Sequence, residues 1–279
     1  MKLARIGVVG RERPAASLDG DTWFALDPVA GDVDADLLGR LQEVRAALDT
    51  GRLARVTPER FGAPLVPGKI VCIGLNYRDH AAETGAEIPA EPVVFLKAPD
   101  TVVGPDDRVL VPRGSVKTDY EVELAVVIGA EARYLDSPDD ALRCVAGYAL
   151  SHDVSERELQ LERGGQWDKG KNCETFNPLG PWLVTADEVP DPQGLGLRLW
   201  VNGALRQDGS TKNMIFGVAH IVWYLSQVMV LRPGDVINTG TPAGVALGMG
   251  DAAAYLRAGD VVELEADGLG RQRQVLEQA

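Results

Sequence analysis

Acidic side chains alternate with apolar ones along one short stretch of the chain. In Thr118-Asp-Tyr-Glu-Val-Glu-Leu-Ala-Val-Val-Ile128, the residues at 122, 124, 126 and 128 are apolar. Asp119, Glu121 and Glu123 occupy odd-numbered positions and so belong to the opposite face of the alternation. This alternation predicts a β-strand with one face in a core. Glu121 and Glu123 then leave the opposite face with Cα atoms about 6.5–7 Å apart, so that both carboxylates can bind one Mg²⁺ or Mn²⁺ ion. The alternative is a solvated outer face, the commoner setting of a Glu-x-Glu pair.

A third acid stands where a second strand is predicted to end. Asp153 follows the apolar run 145–150, and the ends of strands often carry ligands and catalytic groups. Ser155 and Glu158 then have the spacing of a capping box, which predicts a helix over 155–162. Asp153 is therefore the third candidate ligand of the cation.

Other polar residues could complete a pocket for an anion. Arg157 and Gln160 share one face of the predicted helix and could line a pocket beside the cation, although a solvated face is the alternative. Lys171, in a polar loop, could supply the positive charge that an anionic substrate requires. In the small-residue turn 238–245, backbone amides and the Thr241 hydroxyl could bind a carboxylate.

A histidine and a glutamate three residues apart could form a general base. His80 and Glu83 share one face of a helix predicted over 76–84. A neighbouring carboxylate orients an imidazole and strengthens it as a base. An ordinary surface contact on a short helix is the alternative.

The sequence offers little for other common chemistries. By alternation, His152 should face away from Asp153, and His220 lies in an apolar helix, where we expect a packed core residue. The glycines of 244–250 lack the spacing of a dinucleotide fingerprint, and the sequence has no phosphate-binding loop or Gly-x-Ser-x-Gly motif.

The predicted elements favour a β-rich α+β fold over an alternating βαβ sheet, because most strands are short and irregularly spaced. Residues 1–67 are predicted to form a small N-terminal α/β domain, and residues 68–279 a catalytic domain. Predicted strands lie near 3–9, 22–26, 69–73, 93–96, 109–111, 121–128, 145–151, 182–185, 197–202, 235–239 and 260–265. Further helices are predicted near 36–50 and 213–229, and a hairpin turn at Asn202-Gly203.

Composition narrows the class of protein. With 279 residues, 45% hydrophobic and 25% charged, the sequence is typical of a folded globular protein. A formal charge of −13 argues against nucleic acid and anionic membranes as partners. Three cysteines without a Cys-x-x-Cys pair favour a reducing cytoplasm, and we expect neither a signal peptide nor a membrane span.

Taken together, the motifs resemble the fumarylacetoacetate hydrolase family. They occur in family order over about 70–279. The matching segments are GLNYRDHAAE (74–83), VFLKAPDTVVGP (94–105), DYEVELAVVIG (119–129), SHDVSERELQ (151–160), DKGKNCETFNPLGPWLV (168–184) and NTGTPAGV (238–245). The resemblance implies a mixed, strongly bent β-roll that assembles into homodimers.

The resemblance also implies roles for individual residues. Three carboxylates bind one magnesium or manganese ion in that family, and their counterparts here are Glu121, Glu123 and Asp153. His80 and Glu83 match the pair that activates water, on a lid segment that orders over the substrate, and Lys171 matches the lysine that stabilises the departing enolate. Four further positions match residues that contact the substrate or line its pocket: Lys97, Arg157, Gln160 and Thr241.

We therefore expect a small anionic 2-oxo acid as the substrate. The implied reaction is hydrolysis of a C–C bond in a 2,4-diketo acid, giving pyruvate and a carboxylic acid. The substrate would be an acylpyruvate or a 2,4-diketo-3-deoxy sugar acid, because 162–189 resembles members that act on such sugar acids. Decarboxylation of oxaloacetate or a related 2-oxo diacid at the same metal is the alternative, and a non-catalytic binding protein is the third possibility.

Overall fold

Short strands make up most of the regular structure. The computed structural model describes residues 1–252 and 254–279. The strands are β1 (Lys2–Ile6), β2 (Arg13–Ser17), β3 (Trp23–Ala25), β4 (Arg55–Val56), β5 (Ile70–Gly74), β6 (Val93–Lys97), β7 (Val102–Val103), β8 (Val109–Val111), β9 (Thr118–Asp119), β10 (Val122–Ile128), β11 (Val145–His152), β12 (Ser155–Glu156), β13 (Asn177–Thr185), β14 (Gly196–Val201), β15 (Ala204–Ser210), β16 (Val236–Asn238), β17 (Val261–Ala266) and β18 (Gly270–Gln278). The α-helices are α1 (Ala35–Leu38), α2 (Leu41–Asp49), α3 (Arg78–Thr84), α4 (Asp168–Lys171) and α5 (Val218–Val228).

The strands form one large mixed sheet and two smaller sheets. The large sheet has the order β4-β3-β2-β1-β13-β11-β10-β16-β5-β6, with β7 added beside β13. A second sheet has the order β15-β14-β17-β18-β8, and β9 pairs with β12 alone. Most neighbours are antiparallel, whereas β16–β5, β13–β7 and β18–β8 are parallel. This arrangement confirms the predicted α+β, β-rich class.

The large sheet is buried on both faces, and β10 shows why. Val122, Leu124 and Val126 pack in one core with the inner residues of the second sheet and with α5. Ala125 and Val127 point the other way, into a core shared with α1 and α2. Every residue of β10 is therefore buried, as expected of a central strand covered on both sides.

The N-terminal residues continue the same sheet. Strand β1 pairs antiparallel with β13, which places Leu3 opposite Leu183. Residues of the N-terminal segment, among them Leu3 and Leu37, share one hydrophobic core with Ala125 and Val127. Packing thus joins the segment 1–67 directly to the strands that carry the acidic residues.

Two helix predictions differ from the structure. The segment 155–162 begins with β12, in which Ser155 pairs with Asp119, and continues as a single π-helical turn at Glu158–Glu162. The capping box is therefore wrong: the Ser155 hydroxyl donates to the carbonyl of Asp153 instead of capping a helix. The helix predicted near 36–50 is two helices, because α1 ends at Leu38 and α2 begins at Leu41.

The remaining element predictions were closer. Helix α3 and helix α5 lie inside their predicted ranges, and Asn202 and Gly203 both have the left-handed φ of a tight hairpin turn. The sequence pattern also missed β2, β4, β7, β9, β15 and β18, which are either only two residues long or lack a regular apolar–polar alternation. Among the described residues, no helix has the length and apolar character needed to cross a membrane.

Candidate active site

Strand pairing brings the three acids together at one end of the large sheet. Because β10 and β11 are antiparallel, with Val122 opposite His152, the start of β10 meets the end of β11. Glu121, Glu123 and Asp153 are all buried there, and one carboxylate oxygen from each lies within 4.8 Å of the others. They line a cavity of about 530 Å³.

Two cations that line the cavity bind these carboxylates directly. The ammonium of Lys171 donates to Oε2 of Glu121 at 2.7 Å and to Oδ2 of Asp153 at 2.8 Å. The guanidinium of Arg157 donates to Oε1 of Glu121 at 2.7 Å. Both cations are buried, so the ion pairs are poorly screened by solvent.

The two glutamates differ sharply in electrostatics. Burial alone would raise the pKa of Glu121, but the charges of Lys171 and Arg157 outweigh it and hold that pKa below its ordinary value. The pKa of Glu123 is raised well above its ordinary value, first by burial and then by the negative charges of Asp153 and Glu121. The positive charge near Glu123 is therefore too small to offset its burial and the two neighbouring carboxylates.

A divalent cation fits this donor set. Two oxygens bound to one Mg²⁺ ion at about 2.1 Å can be at most about 4.2 Å apart, so oxygens within 4.8 Å need only small side-chain rotations. Seven charged side chains form the connected buried cluster: Lys97, Asp119, Glu121, Glu123, Asp153, Arg157 and Lys171. When all of them are ionised, the four carboxylates and three cations carry one net negative charge, and a bound divalent ion would bring the cluster to one net positive charge.

The predicted base pair is formed and lines the same cavity. Nδ1 of His80 lies 2.8 Å from Oε1 of Glu83 on α3. The other oxygen of Glu83 accepts a hydrogen bond from the backbone N–H of Gly244 at 2.9 Å. A Cβ at Gly248 would lie 2.6 Å from the Glu83 carboxylate, so a glycine there leaves room for it. Gly244 thus binds the Glu83 carboxylate, and Gly248 leaves room for it.

The π-helical turn and its approach present Arg157 and Gln160 to the cavity. Nη1 of Arg157 donates to Oε1 of Gln160 at 2.9 Å, and Nε donates to Oδ2 of Asp119 at 2.8 Å. Asp119 also accepts hydrogen bonds from the backbone amides of Ala246 and Leu247 at 2.8 and 3.0 Å. Asp119, which the sequence analysis placed on the acidic face without a role, therefore joins Arg157 to the loop that holds Glu83.

Thr241 lines the cavity, but its hydroxyl is already engaged. It donates to the carbonyl of Val122 at 2.9 Å and accepts from Nε2 of Gln207 at 2.8 Å. The backbone N–H of the preceding Gly240 donates to Oε2 of Glu123 at 2.8 Å. Gln207 had no sequence signal, because it comes from β15 and reaches the site only through tertiary packing.

Lys97 lies behind the acids rather than on the cavity wall. Its ammonium forms an ion pair with Asp153 and donates to the carbonyls of Val154 at 3.1 Å and Phe176 at 2.6 Å. Those contacts occupy the three N–H donors of the ammonium. Lys97 is thus placed to hold Asp153 and not to reach a bound molecule.

The two other histidines lie outside the cavity. His152 is buried, with Nδ1 3.1 Å from Oε1 of Gln274, and burial lowers its pKa to about 4. His220 was expected in the core, but it is only partly buried and stacks against Phe216 at 5.2 Å between ring centroids.

Comparison with known proteins decides the family. Residues 69–277 match the fumarylacetoacetate (FAA) hydrolase C-terminal family. The chain belongs to the fumarylacetoacetate hydrolase family. A Burkholderia multivorans relative, whose name assigns it provisionally to the hydrolases, is 52% identical over 282 residues, covering 99% of this chain and 98% of the relative.

Solved structures of the fumarylacetoacetate hydrolase family share the whole fold. Fumarylacetoacetate hydrolase from Exiguobacterium antarcticum is 35% identical, with a TM-score of 0.86 and full coverage of both chains. Maleylpyruvate hydrolase from Sphingobium sp. SYK-6, in complex with a manganese(II) ion and pyruvate, is 30% identical, with a TM-score of 0.82 and full coverage of both chains.

Proposed function

We propose that the protein is a divalent-metal-dependent hydrolase that cleaves a C–C bond of a 2,4-diketo acid, giving pyruvate and a carboxylic acid. The observation that carries the proposal is that the His80–Glu83 pair and the acidic triad line one cavity. Such a hydrolysis requires a base that deprotonates water and a centre that stabilises the electron pair released from the broken C–C bond. The structural likeness to a maleylpyruvate hydrolase bound to manganese(II) and pyruvate supports the same reading.

The acidic triad would hold the metal. Glu121, Glu123 and Asp153 provide oxygen ligands suited to Mg²⁺ or Mn²⁺. When bound, such an ion supplies Lewis acidity toward a 2-oxo group and offsets the charge of a substrate carboxylate. Arg157 and Lys171 keep Glu121 ionised, and Lys97 fixes Asp153 from behind.

His80 would generate the nucleophile. Glu83 accepts from Nδ1–H, which fixes the tautomer and leaves Nε2 to take a proton from water. The water oxygen forms a bond to C4 of the diketo acid. The C3–C4 bond then breaks, and its electron pair enters the enolate of pyruvate, while C4 leaves as the carboxylic acid.

Lys171 would stabilise the enolate as its charge develops. Two of its three N–H donors bind Glu121 and Asp153, and one remains for the substrate oxygen. The pKa of Lys171 would be lowered by burial, but the charges of Asp153 and Glu121 outweigh burial and raise it, which keeps the ammonium protonated. A proton on C3 then completes pyruvate.

The test is a product analysis with Mn²⁺ or Mg²⁺, using acetylpyruvate and oxaloacetate as substrates with and without EDTA. We expect acetylpyruvate to give equal amounts of pyruvate and acetate without carbon dioxide, and EDTA to abolish turnover. Carbon dioxide from oxaloacetate, with acetylpyruvate left intact, would instead make the protein a decarboxylase. No metal-dependent turnover of either compound would contradict both reactions.

A further inference from the structure

The cavity holds its acidic cluster at the buried end and has an apolar wall toward its mouth. Glu123 and Asp153 are almost completely buried, whereas Trp167 and Leu247 are partly exposed and Leu161 is 41% exposed. Six large apolar side chains line this outer part and its walls: Ile73, Leu75, Phe95, Leu161, Trp167 and Leu247. A molecule whose charged head reaches the triad would therefore extend its tail along an apolar surface.

The position of Trp167 is fixed by its neighbours. Its ring lies directly against Gly74, where any Cβ would overlap it, and meets the ring of Phe95 edge-on with centroids 5.7 Å apart. The ammonium of Lys171 lies 5.1 Å from the centroid of the same Phe95 ring. One continuous wall thus runs from the proposed catalytic lysine to the indole.

The positive charges of the cavity are already in use. Among the described residues that line it, the two permanent cations are Arg157 and Lys171, and both bind carboxylates. With a divalent ion, the buried cluster carries one net positive charge, which a single carboxylate neutralises. A second carboxylate on the tail would lose part of its hydration against apolar side chains without gaining a cationic partner, which is unfavourable.

We propose that the substrate is a monocarboxylate whose C4 acyl group carries an uncharged, apolar tail, and that Trp167 is the specificity-determining residue for that tail. The inference rests on the proposed function and narrows its substrate class. It disfavours the polyhydroxylated sugar acids suggested by 162–189, because their hydroxyls would lose water against apolar side chains. It equally disfavours dicarboxylates.

Binding of three uncleavable 2-oxo acids to the Mn²⁺-loaded protein distinguishes the affinity contributed by the 2-oxo acid head from that contributed by the tail. 2-Oxobutanoate has the head alone, 2-oxohexanoate adds two methylene groups, and 2-oxoglutarate carries a second carboxylate. We expect calorimetry to give a Kd for 2-oxohexanoate about fifteenfold below that for 2-oxobutanoate, since each of the two buried methylene groups contributes about fourfold. 2-Oxoglutarate should bind more weakly than either.

The outcomes distinguish the two proposals. Equal affinity for all three acids, or tighter binding of 2-oxoglutarate, would overturn the tail assignment and leave the proposed hydrolysis standing. If Mn²⁺ binds but none of the three acids does, recognition of a 2-oxo acid fails, and both proposals fail with it.

Variants test Trp167 itself. Trp167→Ala should reduce the preference for 2-oxohexanoate over 2-oxobutanoate from about fifteenfold to about twofold, and Gly74→Ala should reduce it by displacing the indole. Trp200→Ala, on β14 in the second sheet, should keep the wild-type preference. The ratio of kcat/KM for hexanoylpyruvate to that for acetylpyruvate should fall in the same two variants. A preference retained in both Trp167→Ala and Gly74→Ala would overturn the role of Trp167.

Discussion

The imidazole of His80 and the carboxylate of Glu83 are 2.8 Å apart on one face of α3. This pair has the geometry of an oriented general base. Because the second oxygen of Glu83 is held by the N–H of Gly244, the orientation of His80 depends on a loop more than 150 residues away in sequence. The base is therefore positioned by tertiary structure as well as by helical spacing.

Loss of this base should slow turnover strongly. His80→Ala should lower kcat for acetylpyruvate by roughly a hundredfold or more, the size expected for a general base. Steady-state kinetics at saturating Mn²⁺ would measure the change. His220→Ala, in the partly exposed cluster on α5, should retain the wild-type rate. An unchanged rate for His80→Ala would mean that another group activates water.

Removal of the Glu123 carboxylate should weaken metal binding strongly without unfolding the protein. Glu123→Gln should weaken Mn²⁺ binding by at least roughly a hundredfold, more than the loss expected when a supporting residue is removed. Because the raised pKa of Glu123 favours its neutral form before a metal binds, an amide is a close substitute in the metal-free fold. Calorimetry with Mn²⁺ and thermal unfolding without metal would measure the two effects.

The matched control for that variant is Glu277→Gln, at an exposed position near the end of β18. It should bind Mn²⁺ as the wild type does. Wild-type Mn²⁺ affinity in Glu123→Gln, or full activity of that variant after metal stripping, would rule out Glu123 as a ligand.

The sequence predicted which side chains lie close together better than it predicted the path of the chain around them. The alternation at 122–128 indicated correctly which face of β10 bears Glu121 and Glu123, because that face is set by a period of two. The helix predicted over 155–162 does not form as such, because Ser155 pairs with Asp119 in a short β-ladder. A local capping motif contains no information about that distant partner.

The contacts that complete the site were beyond sequence reasoning. Gln207 reaches Thr241 from a strand in the second sheet, and Lys97 binds Asp153 across 56 residues. Whether a side chain points into the cavity depends on how the sheets pack, so no sequence signal placed Lys97 behind Asp153. Motif matching identified Lys97 as a residue near the site but did not indicate the direction in which its side chain points.

Asp119 should be as important for stability as for activity. It binds both Arg157 and the amides of Ala246 and Leu247, so Asp119→Asn removes one partner of a buried ion pair. We expect unfolding free energy to fall by about 3 kcal/mol, and kcat/KM to fall with it. Urea unfolding would measure the first effect.

The control for this variant is a half-exposed ion pair of similar chemistry. Asp267→Asn removes one partner of Arg198 at the edge of the second sheet, where solvent screens the charges and stability should change little. Equal stability losses in the two variants would contradict a special role for the buried Asp119–Arg157 pair.

Gly248 should act on catalysis through Glu83. A methyl group at Gly248 would lie 2.6 Å from the Glu83 carboxylate, so Gly248→Ala must turn that carboxylate away from its bonds to His80 and Gly244. We expect kcat to fall by roughly tenfold to a hundredfold, because a base that loses its orientation keeps only part of its effect. Mn²⁺ affinity should be maintained, since the metal ligands lie on other strands.

The comparison that makes this prediction specific is Gly31→Ala, where the added methyl group would meet no atom within 4 Å. That variant should match the wild type in kcat and in Mn²⁺ affinity. Because Gly248→Ala and Glu83→Gln both disable the same support of His80, their effects on the activation free energy should not be additive. Multiplicative losses in the double variant would show that Gly248 acts by some route other than Glu83.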